Sequence, residues 1–178
     1  DKYIHDLIVS HGARPAFLGY KGFPASSCLS LNEEVVHGIP DERALKEGDL
    51  LKVDIGVELD GFYSDSARTY AIGEISEEGK RLMEVTLKAL NEGIKMAREG
   101  NRVSDISHAI EKVVKKAGFD VVKELGGHGV GLSLHEEPII PNYGPPGRGA
   151  VLREGMVLAI EPMVTAGKPD VRVKEDKW

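Results

Sequence analysis

Residues 45–57 read LKEGDLLKVDIGV, and residues 152–164 read LREGMVLAIEPMV. Laid over each other, Leu45 falls on Leu152, Gly48 on Gly155 and Asp54 on Glu161. A second pair lies upstream in the same order: SLNEE at 30–34 and SLHEE at 133–137. Two similar segments in one order suggest a duplicated fold. The expected organisation is a single domain over 1–178 with two pseudo-symmetric halves, about 1–100 and 101–178. Each copy ends its apolar run on a carboxylate. A carboxylate within a buried strand is costly unless positive charge meets it. One such group per half predicts a metal site where the halves meet.

The bulk numbers read as an ordinary soluble globular protein, long enough for one domain with a full core or two small lobes. The chain has 178 residues, 41% of them hydrophobic and 29% charged. No apolar stretch approaches a membrane span, and the start, DKYIHDLIVS, lacks the basic region and cleavage site of a signal peptide. A net charge of −6 offers no nucleic-acid footprint. The single cysteine, Cys28, forms no internal disulfide and suits a reducing cytoplasm. These features predict a cytoplasmic protein without membrane or direct nucleic-acid partners; a monomer is expected, though no sequence feature sets the oligomeric state.

Periodicity places the motifs on elements. Residues 1–11 predict an amphipathic helix with Ile4, Leu7, Ile8 and His11 on one face, ended by Gly12. Short extended pieces follow over 16–40. Residues 49–58 and 62–72 predict a hairpin around Asp60-Gly61. Helices are expected from Ser76 to Glu99, with Leu82, Leu90 and Ile94 on one face, and from Ser104 to Ala117, with Ile106, Ile110, Val113 and Ala117 on one face. Residues 119–125 and 156–164 predict strands, with glycine-rich loops at 126–135 and 141–149. Strands flanking a helical middle give an α+β class with a mainly antiparallel sheet covered by helices.

Asp54 and Asp65 lie on the two arms of the predicted hairpin. If alternation puts them on one face, their repulsion calls for a cation. The competing reading pairs Asp54 with Lys52 or Arg68 and leaves Asp65 solvated at an edge. His128 sits in GGHGVG, His135 in LHEEP and His37 in VVHGIP. Glycines on both sides of His128 suggest an accessible imidazole. Imidazole is a common metal ligand and the best acid or base near neutral pH. His5, His11 and His108 fall on helices without such settings and read as packing or surface residues. The set Asp54, Asp65, His128 and Glu161 is mostly oxygen, with one nitrogen and no sulfur. It suits Mn, Fe, Co or Zn in a catalytic role. Several carboxylates can bridge two divalent metal ions, which hold a water and clamp a tetrahedral intermediate. His37 and His135, outside the ligand set, are cast as catalytic groups.

SLNEEVVHGIP (30–40), VDIGVELDGFYSDSART (53–69), GGHGVGLSLHEEPIIPNYG (126–144) and GMVLAIEPMV (155–164) resemble, in order, the motifs of the type I methionine aminopeptidases. The resemblance covers nearly the whole chain. It implies the pita-bread fold, whose internal pseudo-twofold agrees with the repeat. It implies metal-dependent removal of the initiator methionine from nascent proteins and peptides, with ribosome contact as a family-level expectation. Asp54, Asp65, His128 and Glu161 match the family's metal ligands, with Glu161 also catalytic near the attacking water. His37 and His135 match its substrate-contacting histidines. Tyr20, Phe23, Cys28, Leu134 and Trp178 match positions lining the methionine pocket; Leu134 stands where many relatives carry an aromatic.

The family pattern has a further glutamate ligand beyond the Trp178 position and structure before the Asp1 position. The repeat leads to the same gap: the mate of Glu161 falls near Arg172, where only Asp170, Glu175 and Asp176 are close. The sequence-based expectation is a chain lacking both ends of the family's domain, with the second metal weakened most. Two alternatives follow: a proline-directed peptidase on the same fold, or a non-enzymatic peptide-binding fragment.

Overall fold

The computed structural model describes residues 1–178. Its elements run α1 (Lys2–Ser10), β1 (Arg14–Pro15), β2 (Cys28–Leu31), β3 (Leu50–Leu59), β4 (Phe62–Ala71), α2 (Glu77–Met96), α3 (Val103–Lys116), β5 (Asp120–Val121), β6 (Gly126–Gly129), β7 (Glu136–Pro141), β8 (Leu158–Ala159) and β9 (Val164–Thr165). Every strand pairing is antiparallel, as the predicted α+β class requires. Two compact units emerge. One comprises residues 1–76, 130–134 and 173–178, and the other residues 77–129 and 135–172.

The first unit is built on β3, which pairs along its full length with β4. Its other edge carries β2 at one end and β1 at the other. The turn at Asp60-Gly61 places both residues at positive φ, 53° and 83°, the geometry a two-residue hairpin favours. Helix α1 buries only Ile8. Leu7, predicted on the same face, is exposed, and His11 lies beyond the helix with Nδ1 2.8 Å from the Leu7 carbonyl.

The second unit packs α2 against α3 around Ile106, Ile110 and Val114. The predicted α2 stripe of Leu82, Leu90 and Ile94 is only partly inward, and Ile94 is exposed. The contact runs instead through Ala89 and Gly93. A methyl on Gly93 lies 3.0 Å from Ile110 Cγ1, so the small residue lets the helices close. Asp105 reaches back to the Arg102 amide at 2.7 Å, capping α3. Residues 126–129, expected as loop, form β6, flanked by β7 and β8. The single strand expected at 156–164 is reduced to two short pieces, β8 and β9, and 119–125 to the two residues of β5. Pro162 between β8 and β9 has no amide to continue a ladder.

Candidate functional site

In the first unit, register decides the question left open by alternation. Cys28 pairs with Asp54, Asp54 with Ala67, and Gly56 with Asp65. Directly paired residues share a face, as do residues two apart on a strand. Cys28, Asp54 and Asp65 therefore face one side, the two carboxylates as diagonal neighbours across the hairpin. One Asp54 oxygen is fully buried. Lys52 turns its ammonium to the Asn32 carbonyl at 2.6 Å, and burial pushes it down to about 8. Arg68 lies on the opposite face, over the Tyr70 ring. Burial pushes the Cys28 thiol well up, and Asp54 and Asp65 push it further. It stays protonated and acts as a small apolar group.

The same face supports an apolar cluster. Phe17, Phe23, Ala25, Cys28 and Leu134 are buried together, with Tyr20, Ile39, Tyr63 and Trp178 packed around them. All five pocket residues expected from the sequence (Tyr20, Phe23, Cys28, Leu134 and Trp178) lie in this cluster. Phe17 and Tyr63 were not foreseen. Tyr63 was within reach of alternation, being two residues before Asp65. Phe17 needed Gly56: a methyl there lies 2.4 Å from Phe17 Cε1, so glycine opens the sheet to the ring. His37 stands on an exposed loop at positive φ, 58°. Its ring is 6.0 Å, edge-on, from that of Trp178. Desolvation lowers its pKa, Asp65 pulls it back up, and Lys21 pushes it down; the net shift is downward.

In the second unit His128 sits on β6, paired with Ala159 of β8. It is 4% exposed, which corrects the expectation of an accessible loop imidazole. The glycines serve close approach instead. Methyls on Gly126, Gly127 and Gly129 lie 2.5, 2.1 and 2.3 Å from the carbonyl oxygens of Ile140, Ala159 and Glu137. Side chains there would push β7 and β8 away from the histidine.

His128 Nδ1 lies 2.8 Å from the Gly129 carbonyl oxygen. A carbonyl only accepts, so Nδ1 donates to it and Nε2 is the ring nitrogen turned toward Glu161. Nε2 lies 3.1 Å from Glu161 Oε1, an oxygen that is buried and receives no hydrogen bond. An imidazole nitrogen and a buried carboxylate oxygen at that distance are close enough to bind one cation together. This nitrogen–oxygen donor pair suits a divalent transition metal. The exposed His135 lies beside them, its ring 4.1 Å from that of His128 at a 37° tilt.

The model of metallopeptidase family M24 matches residues 1–177. Methionine aminopeptidase 1 of Bacillus subtilis (strain 168) is 52% identical over the whole chain and 72% of its own length. The chain belongs to the methionine aminopeptidases of family M24. A methionine aminopeptidase of Clostridium acetobutylicum is 51% identical over 100% of the chain and 72% of its own length. The crystal structure of methionine aminopeptidase from Thermotoga maritima superposes with a TM-score of 0.95 at 50% identity, covering 97% of this chain and 70% of that one. The fold is thus the pita-bread fold of this family. A prolidase from Pyrococcus furiosus matches less well, with a TM-score of 0.68 at 29% identity over 76% of the chain and 40% of its own length. The enzyme class is that of a metal-dependent exopeptidase.

Proposed function

We propose that this chain removes the N-terminal methionine from peptides and nascent proteins. Asp54, Asp65, His128 and Glu161 form the proposed ligand set for two divalent metal ions. The observation that supports the metal reading is the close approach of His128 Nε2 to Glu161 Oε1 at 3.1 Å, an imidazole nitrogen and a buried carboxylate oxygen, both metal-ligand atom types. When bound, the ions supply the positive charge that polarises the scissile carbonyl and lowers the pKa of the attacking water.

The chain's own groups do the rest. Glu161 takes the proton of the attacking water. His37, whose pKa desolvation lowers, hydrogen-bonds the substrate. His135 contacts the peptide at the scissile bond and passes a proton during turnover. Phe23, Cys28, Leu134, Tyr20 and Trp178 enclose the unbranched thioether side chain, which suits an apolar, aromatic lining. The proposed catalytic domain is the whole of 1–178.

Methionine release from a Met-Ala-Ser peptide, with Mn²⁺ or Co²⁺ and a chelated control, tests this reading. Metal-dependent release is expected. A preference for X-Pro dipeptides would favour a proline-directed peptidase, and peptide binding without release in either metal a binding module.

A further inference from the structure

Residues 173–178 belong to the same unit as the apolar cluster. They form a tight turn. The Lys177 amide donates to the Lys174 carbonyl at 3.0 Å, and the Lys174 amide to the Trp178 carbonyl at 3.1 Å. Trp178 N also donates to Asp176 Oδ1 at 3.0 Å. Lys174 and Trp178 therefore move together. At one end of this turn the Trp178 ring lies edge-on to Phe23, 5.0 Å between centroids. At the other end Lys174 Nζ reaches Glu34 Oε1 at 2.8 Å.

Glu34 is an unusual partner for a surface lysine. Its side chain is only 7% exposed. It accepts from the Leu31 amide at 2.8 Å and pairs with Arg43 at 3.0 Å. It also stands three residues before His37, on the same loop. An isolated exposed ion pair contributes little, because two long side chains must be ordered to form it. Here the acceptor is already fixed by its own loop, so that cost falls on Lys174 alone.

We infer that Glu34, acting through Lys174, is a positioning residue that seats Trp178 against Phe23 and His37 and so sets one wall of the methionine pocket. The inference rests on the proposed pocket. It adds a specificity device outside the proposed ligand set: the Glu34–Lys174 charge pair controls an aromatic wall of the proposed pocket.

Lys174 is the position to vary, because no other side chain bonds its ammonium, whereas Glu34 also anchors its own loop. Trp178 is the single tryptophan of the chain, so its emission reports seating directly and needs no activity. In the 178-residue chain, Lys174→Glu is expected to shift Trp178 emission to the red. It should also weaken L-methionine binding by about fivefold, the scale of one good ion pair. Lys174→Arg should restore both. Unchanged emission in Lys174→Glu would overturn the clamp. Shifted emission with unchanged methionine binding would overturn its role in the pocket. Failure of the unmodified chain to bind methionine would refute the pocket reading itself, and the inference with it.

Discussion

Adding one methyl at Gly127 tests whether the glycines around His128 exist to bring β8 close. The Cβ of Gly127→Ala lies 2.1 Å from the Ala159 carbonyl oxygen and 3.2 Å from the Glu161 amide nitrogen. Carbon–oxygen contacts between strands settle near 3.3–3.6 Å, so the backbones must part by roughly 1.2 Å or more. Nothing flexible can absorb this, since the obstructing atoms are main chain. The β6–β8 ladder is only two pairs long, His128 with Ala159 and Gly129 with Leu158, and it yields before the larger packing does. Overpacking of this kind costs about 1–3 kcal/mol. Metal affinity should fall more steeply, because Glu161 follows Ala159 by two residues and moves with it. Displacing a ligand or its support is expected to cost ~10–100-fold in affinity. Thermal melts of the metal-free chain and calorimetric titration with Mn²⁺ separate the two effects. Unchanged Mn²⁺ affinity together with an unchanged melting temperature would refute the close-approach argument.

Three further outcomes are expected. His135→Ala should lower turnover far more than metal content, measured by steady-state kinetics and metal analysis; equal losses would move His135 into the ligand set. Asp65→Asn should release metal while leaving the hairpin folded by circular dichroism, and full metal retention would undo the argument from shared face. Glu34 should make the chain acid-sensitive. Burial pushes its carboxyl up, but bonds from Arg43, Leu31 and Lys174 outweigh this and hold it at about 2, below the ordinary 4.5. Its stabilising contribution is therefore present above about pH 4.5 and lost as pH falls toward 2. Glu34→Gln should flatten stability against pH in that window, and an unchanged slope in denaturant titrations would count against the network.

The sequence carried the hairpin well, because alternation and the Asp60-Gly61 turn are local signals. The shared face of Asp54 and Asp65 was one register step from legible. The second unit was harder. GGHG reads as a flexible loop, since nothing local reveals that Gly126, Gly127 and Gly129 are pressed against three carbonyls from β7 and β8. That strand exists only through partners distant in sequence. The α2–α3 contact was missed for a related reason. A search for large apolar residues passes over Ala89 and Gly93, whose small size is what brings the helices together. Phe17 escaped because its place depends on an absent side chain at Gly56.

The two copies of the repeat hold their carboxylates by different means. Gly48 and Gly155 keep the equivalent turn, both at positive φ, 96° and 84°. Beyond it the copies diverge. Asp54 is set in a ten-residue strand paired along its length with β4, so its position is over-determined. Glu161 lies just past a two-residue strand, and its place depends on a ladder that glycines permit. The Asp54 carboxylate is therefore held by hydrogen bonding of its strand, and the Glu161 carboxylate by backbone proximity. A substitution that leaves every bond donor intact but adds bulk should spare the first arm and disable the second. The same reasoning separates Gly127→Ala from a change at Gly56, whose added methyl meets the movable ring of Phe17 rather than main chain. Gly56→Ala should then disturb the apolar cluster while leaving the carboxylate register of β3 and β4 in place.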